Sequence, residues 1–137
     1  MAAPNIVNVS TITGVTTAIS GINTVILQEL PWAKSGVSTV VTNASASGKV
    51  IKINALVATS IGDTTGVSAW IYDTASAHVG AISTVSLATT MTVPLYSSLA
   101  IVDKSNSIYL EENKQLAVQA QSNAGTIDIV CAYEEIS

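Results

Sequence analysis

The side chains of this chain that could do acid–base chemistry are concentrated in one short stretch, residues 103–114. The whole chain has five basic and nine acidic residues, and a large share of them falls within these twelve positions. Such a cluster is compatible with an acidic active site, a metal site, or the solvated end of a pair of strands. Its members are Asp103, Lys104, Glu111, Glu112 and Lys114.

The spacing within this cluster argues against catalysis. Glu111 and Glu112 are adjacent, so on a strand they point to opposite faces, and in a tight turn both face water. A glycosidase-type pair of Asp73 with Glu112 has no positive support in the sequence. The stretch "DKSNS" (103–107) offers oxygen ligands but lacks the spacing of a calcium loop. We therefore expect no metal site here.

The single histidine and the single cysteine form no catalytic or metal-binding pattern. His78 lies in "TASAHVG", a stretch without a nucleophile-elbow motif, and is predicted to be a surface residue. One histidine and one cysteine cannot supply the ligands of an ordinary structural zinc site. Cys131 falls on the apolar side of the last strand, which predicts a buried, inert thiol. We expect neither enzymatic activity nor a cofactor.

Aromatic side chains are the remaining candidates for a functional site. The candidate interface residues are Trp32, Trp70, Tyr72 and Tyr96. Trp70 and Tyr72 share the side of their strand that faces away from the predicted core, so they could anchor a protein interface or stack on sugars. The alternative is that they face the core, because a shift of one residue in register exchanges the two faces of a strand.

Composition excludes several classes of partner. The chain contains no arginine, and its net charge of −4 gives no electrostatic footprint for direct nucleic-acid binding. Residues 1–28 and 74–102 carry no charge, and such neutral surfaces suit burial against partners. The second run contains many hydroxyl side chains and Pro94, so no membrane span is predicted. The N-terminus lacks the features of a signal peptide, and the lone cysteine favours folding in a reducing cytoplasm.

Alternation of apolar and polar residues predicts an all-β fold. Residues 48–59 place Ile51, Ile53, Ala55 and Val57 on one face, and residues 66–73 and 125–136 alternate in the same way. Turn signals recur about every ten residues, which is typical of an antiparallel β-sandwich. We expect about eight strands after residue 36. The sequence predicts a jelly-roll-like sandwich but does not exclude an immunoglobulin-like arrangement.

Residues 111–121 give conflicting signals. The stretch "EENKQLAVQAQ" is rich in helix formers, yet Leu116, Val118 and Ala120 alternate with polar or small residues. We predict a strand, because pattern usually outranks propensity over so short a span. The "EENK" turn is then expected to close a hairpin between "SIYL" and "QLAVQAQ". A second hairpin connection is expected at "SNAG" (122–125).

The N-terminal region differs from the rest of the chain. Residues 1–30 alternate over long stretches, and "ELPWAK" (29–34) then interrupts the pattern at Pro31. We interpret residues 1–30 as an extended strand-forming arm that packs on a neighbouring subunit, and residues 31–137 as a single β-sandwich domain. The alternative is that residues 1–30 supply ordinary strands of the same sandwich.

Several stretches of the chain resemble small virion structural proteins of tailed bacteriophages, especially phages of cyanobacteria and other aquatic bacteria. Such proteins often carry "EEGD" where this chain has "EENK" (111–114), a departure that alters a turn and affects no catalytic residue. The stretches that carry the resemblance are "PNIVNVSTITGVTT" (4–17), "VVTNASASGKVIKINALVATSIGDTTGVSAWIYD" (40–73), "SIYLEENKQLAVQA" (107–120) and "IVCAYEEIS" (129–137).

The resemblance implies a β-sandwich that assembles on a phage particle. Within that group, the expected role is a capsid decoration (cement) protein that binds the major capsid protein on the outer surface of the virion. Such proteins are often homotrimers, and this one would be made in the cytoplasm of the bacterial host. The alternatives are a structural subunit of the neck, tail or baseplate and, from another class, a sugar-binding module for attachment.

Overall fold

The computed structural model describes residues 9–22, 38–62, 65–73, 85–120 and 126–137. These segments form β-strands and one short 3-10 helix, Lys104–Asn106, and they contain no helix that is long and apolar enough to cross a membrane. The strands are β1 Ile12–Ile22, β2 Ser38–Asn43, β3 Val50–Ser60, β4 Thr65–Asp73, β5 Val85–Val93, β6 Ser98–Val102, β7 Ile108–Leu110, β8 Lys114–Ala120 and β9 Ile127–Ile136.

The strands form two antiparallel sheets packed face to face. The five-stranded sheet has the order β1-β9-β3-β6, with β7 also paired to β3, and the four-stranded sheet has the order β2-β8-β4-β5. The pairing is nested: β1 with β9, β2 with β8, β3 with β6 and β7, and β4 with β5. Folding one long antiparallel ribbon over itself produces this nesting, which is the jelly-roll arrangement. The predicted all-β sandwich is confirmed, and the described residues after position 36 contain eight strands, in line with the expected number of about eight.

The hydrophobic core lies between the two sheets and is built almost entirely from aliphatic side chains. Each fully buried Ile or Leu contributes about 2 kcal/mol of hydrophobic free energy. The alternation predicted for β9 is confirmed, since Ile127, Ile129 and Cys131 are buried. The other buried members of the core are Val40, Val41, Ile51, Ile53, Leu56, Ala58, Val67, Ala69, Val93, Val102, Leu110, Leu116, Val118 and Ala120.

A β-bulge in β3 overturns part of the predicted register. Ile51 and Ile53 are buried as expected, but the pairing with β9 shifts between Ile53 and Ala55. The inserted residue exchanges the two faces, so Leu56 and Ala58 enter the core beyond it. The predicted core positions of Ala55 and Val57 are therefore wrong, because alternation counted along the sequence does not detect an inserted residue.

The strand predicted for the ambiguous segment is confirmed, but the two predicted hairpins are wrong. β8 covers residues 114–120, and Leu116, Val118 and Ala120 belong to the core. A turn does occur at Glu112 and Asn113, yet β7 lies in the five-stranded sheet and β8 in the four-stranded sheet. β8 and β9 also lie in different sheets. In the nested ribbon these connections cross from one sheet to the other, so neither closes a hairpin.

Strand β1 belongs to the sandwich of its own chain. It pairs antiparallel with β9, with Ile12 opposite Ile136 and Ile19 opposite Ile129. The strand-forming character expected of the N-terminal region is therefore right for these residues, and the alternative of an ordinary strand in the same sandwich describes β1. Residues 1–8 and the expected boundary near residue 30 lie outside the described residues.

Candidate functional site

Most of the described charged residues lie at one end of the sandwich. This end, which we call the charged end, contains the start of β3 and of β8, the ends of β2, β4, β7 and β9, and the loops that join them. Two ion pairs lie here: Lys49 Nζ is 2.8 Å from Glu135 Oε2, and Lys114 Nζ binds Asp73 Oδ1. The charged residues of this end are Lys49, Lys52, Asp73, Glu111, Glu112, Lys114, Glu134 and Glu135.

A buried asparagine organises the charged end. Asn43, only 1% exposed, donates from Nδ2 to the carbonyl oxygens of Lys49 at 2.9 Å and Leu110 at 3.0 Å. Its Oδ1 accepts a hydrogen bond from Ser47 Oγ at 2.6 Å, and its carbonyl oxygen accepts one from the Asn113 N–H at 2.9 Å. Asn43 therefore ties together the β2–β3 and β7–β8 connections, a role that sequence reasoning missed.

The acidic cluster at residues 103–114 is divided among separate structural roles. Glu112 Oε1 accepts a hydrogen bond from the Gly48 N–H at 2.8 Å, which links two connections. Asp103 caps the 3-10 helix, and hydrogen bonds from the Ser105 hydroxyl and N–H hold the pKa of its carboxyl below the usual value. In the described part of the chain, no three His, Cys, Asp or Glu side chains are grouped as a metal site would require.

The structure places the lone cysteine in the core. Cys131 is fully buried, and desolvation raises the pKa of its thiol to about 11. The thiol therefore stays protonated at neutral pH and is a poor nucleophile, as the sequence predicts. His78 lies outside the described residues, so its predicted surface position stays a prediction.

Two of the four candidate aromatic residues are buried. Trp70 is 2% exposed, and Tyr72 is also buried, with its hydroxyl 3.3 Å from Thr39 Oγ1 in a hydrogen bond. The predicted register is right, since Val67 and Ala69 face the core. The predicted exposure of the opposite face is wrong: Ala117, which pairs with Trp70, is buried there too. Alternation assigns a side chain to a face, but it does not say whether that face is covered.

The exposed aromatic pair that a sugar-binding platform requires is therefore not found at Trp70 and Tyr72. Trp32, the third candidate, lies outside the described residues. Tyr96, the fourth, is 79% exposed and lies on the turn between β5 and β6.

Tyr96 belongs to a small exposed apolar surface at the opposite end of the sandwich, which we call the apolar end. Its other exposed apolar side chains are Leu95 at 40% and Ile61 at 45%. Hydrogen bonds hold these residues together: the Tyr96 N–H donates to the Ser60 carbonyl at 2.9 Å, and the Ser60 N–H donates to the Ser97 carbonyl at 3.0 Å.

The backbone of Tyr96 is in an unfavourable conformation. Its φ of 58° lies in the left-handed region, which costs a residue other than glycine about 1 kcal/mol. The turn at residues 94–97 nevertheless presents this tyrosine to solvent on a hydrogen-bonded frame, since Ser97 Oγ also donates to the Pro94 carbonyl at 2.6 Å.

A shallow groove lies between the edge strands β5 and β6. Its volume of about 120 Å³ is below the roughly 300 Å³ at which small-molecule sites begin. No charged side chain lines it, so it offers no group that could orient a polar substrate. The lining residues are Leu87, Ala88, Met91, Leu99, Ala100 and Ile101.

Comparison of the chain with protein-family models, with curated proteins and with solved structures gave no match. The functional argument therefore depends on the geometry of the two ends and on the resemblance of the sequence stretches quoted above.

Proposed function

We propose that this protein is a non-enzymatic structural component of a tailed-phage particle. Its proposed role is that of a capsid decoration (cement) protein, which binds the outer surface of the major capsid protein shell and stabilises it. Synthesis would take place in the cytoplasm of the bacterial host, and the binding surface would be the apolar end.

The observation that carries the proposal is the separation of the two kinds of surface. Most of the described charged groups gather at one end, where they bind loop backbones and each other. The exposed side chains of Ile61, Leu95 and Tyr96 form a cluster at the other end, whereas Ile12, Val85 and Tyr109 are exposed singly on strands nearer the charged end. When a protein binds a shell through one end, that end is desolvated and the opposite end stays exposed to solvent. Burial of Ile61, Leu95 and Tyr96 would supply hydrophobic free energy at the apolar end.

The low charge of the whole chain supports the same proposal. Long Lys, Arg and Glu side chains lose conformational entropy when an interface immobilises them, whereas Ser, Thr and Ala lose little. A decoration protein also binds at many copies per particle. Where neighbouring copies contact one another, binding is multivalent, so the coat can be stable although each individual contact is weak.

Copy number tests the assignment to the shell. Quantitative mass spectrometry of purified virions would compare this chain with the major capsid protein. A decoration protein is expected at hundreds of copies per particle, whereas a subunit of the neck, tail or baseplate would be present in a few or tens. A count in the lower range would overturn the shell assignment, and absence from the virion would overturn the proposal as a whole.

Binding to shells tests the apolar end directly. Tyr96→Asn should weaken binding of the protein to particles that lack it by about tenfold or more, because an exposed aromatic anchor is removed. The matched control is Tyr109→Asn, which removes a tyrosine that is also exposed but lies on β7, away from the apolar end. Equal binding by the two variants would exclude the apolar end as the shell contact.

A further inference from the structure

The outer edge of β1 is an unusual feature of the five-stranded sheet. β1 pairs with β9 along one side, and no other described strand pairs with its opposite side. An edge strand presents a row of backbone N–H and C=O groups that can pair with another chain, and natural sheets normally block such edges with charges, proline or bulges.

The other described sheet edges carry such protection. The edge formed by β6 and β7 is interrupted by the 3-10 helix with its charged residues Asp103 and Lys104. β5 contains Thr90 at φ 49° and two shifts in its pairing with β4, and β2 has only six residues, with a shift of its own.

β1 carries neither charge nor proline. Its pairing with β9 is regular from Ile12 to Ile19, and its only irregularity falls beyond Ile19, near the end of the strand. Among the described edges, β1 therefore offers the longest uninterrupted row of backbone groups.

The sequence of β1 is complementary to itself. In an antiparallel pair of two β1 strands centred on Thr17, Val15 lies opposite Ile19, Thr16 opposite Ala18, and Thr17 opposite Thr17. The two large apolar residues, Val15 and Ile19, then lie opposite each other, and no like charges are brought together. Val15, Thr17 and Ile19 are only half-buried in the single chain, so this edge of the core is open to further burial.

We propose that a second copy of this chain pairs with β1 through its own β1. The two strands run antiparallel about a two-fold axis at Thr17, and the two five-stranded sheets become one continuous sheet. A two-fold contact of this kind is self-complementary and closes on itself, so assembly stops at the dimer. This inference does not depend on the proposed function, and it predicts a dimer in place of the trimer that the phage resemblance implies.

The state of association of the full chain is the first test. Sedimentation velocity over a range of concentrations should show a reversible equilibrium between a species of 14.0 kDa and one of twice that mass. A chain that stays monomeric at every concentration, or that forms trimers, overturns the inference.

Charge substitutions at Thr16 and Ala18 test the register. Both side chains are exposed in the single chain, so the variants should fold. In Thr16→Lys/Ala18→Lys, lysines oppose lysines across the axis, and association should weaken about tenfold or more. In Thr16→Lys/Ala18→Glu, each lysine opposes a glutamate, and association should be retained.

A matched control separates this repulsion from a simple change in net charge. Thr89→Lys/Thr92→Lys adds the same charge at exposed positions of β5 and should associate like the unchanged protein. Equal association of the Lys/Lys and Lys/Glu variants of β1, whether both strong or both weak, overturns the proposed pairing.

Discussion

The two ends of the sandwich differ in the side chains that they carry and in the interactions that those side chains make. At the charged end, the buried Asn43 and the carboxylate of Glu112 satisfy backbone groups of two connections, and ion pairs surround them. At the apolar end, hydrogen bonds join the backbones of Ser60, Tyr96 and Ser97, and side-chain hydrogen bonds are made by Ser97 and between Thr59 and Ser98. The turn at this end exposes Leu95 and Tyr96, and Tyr96 is in a strained conformation. The first end is held by buried and charged side chains, whereas the second exposes the apolar side chains of Ile61, Leu95 and Tyr96.

This difference suggests that folding and binding place separate demands on the two ends. Substitutions at the charged end should change the free energy of unfolding and leave shell binding intact. Substitutions at the apolar end should do the reverse. The predictions below test this separation, beginning with the largest expected effect.

Loss of the buried asparagine should have the largest effect. Asn43→Ala removes three side-chain hydrogen bonds and leaves the carbonyl groups of Lys49 and Leu110 without these donors, so the free energy of unfolding should fall by about 3 kcal/mol. Urea denaturation measures this change. The matched control Asn106→Ala, at an exposed asparagine, should cost about 1 kcal/mol or less. Similar losses for the two variants would contradict a special role of Asn43 at the charged end.

The buried thiol of Cys131, which lies in the core between the two ends, should lower the free energy of unfolding at high pH. The thiol of Cys131 has a pKa of about 11 in the folded protein against an ordinary value of 9.0. Between these pH values the unfolded thiol gives up its proton while the folded thiol keeps it, so stability should fall by about 2 kcal/mol as pH rises through this window. Denaturation at pH 8, 9, 10 and 11 measures the slope.

Cys131→Ala is the control for this slope. The variant should lose part of its stability at every pH, but the decline between pH 9 and 11 should be shallower than in the unchanged protein. An unchanged slope would contradict the assignment of the decline to the thiol of Cys131.

Relief of strain at the apolar end should give a smaller effect of opposite sign. Asparagine tolerates the left-handed conformation better than tyrosine, so Tyr96→Asn should leave stability unchanged or raise it by up to about 1 kcal/mol. Thermal unfolding measures the change in the same variant that is expected to bind shells weakly. A large loss of stability in Tyr96→Asn would mean that the apolar end also holds the fold together.

The ion pairs of the charged end should have the smallest effect. Lys114→Met removes the partner of Asp73, but the pair is about one third exposed, so the cost should be about 0.5 kcal/mol. The difference between the variant and the unchanged protein should shrink in 1 M salt, because the attraction is screened. Lys104→Met, at an exposed lysine of the 3-10 helix, is the control and should show no measurable change. A cost of several kcal/mol at Lys114 would show that ion pairing rather than Asn43 organises this end.

Much of the fold could be predicted from local patterns. Alternation identified the strands around residues 50, 66, 116 and 130, including β8, where helix propensity pointed the other way. The buried, inert thiol of Cys131 followed from the same alternation. These predictions succeed because the two faces of a strand differ in exposure, and that difference is recorded residue by residue in the sequence.

The candidate site was harder to predict. Tyr96 was named as a candidate interface residue, but nothing local to it indicated that it would be exposed or that Leu95 and Ile61 would lie beside it. Asn43 was not identified at all, because an asparagine after a strand usually indicates only a turn. Burial of Trp70 was missed because the covering of a face depends on residues far away in the sequence.

The sequence by itself therefore determined the composition, the strands, their inward faces up to the bulge in β3, and the separation of charged from neutral stretches. The tertiary structure alone decided which strands pair, since the backbone groups of a strand are the same whatever its sequence and pairing depends on contacts between distant segments. That pairing placed β7 and β8 in different sheets, where sequence reasoning expected a hairpin. It also brought the charged loops to one end and Ile61, Leu95 and Tyr96 to the other.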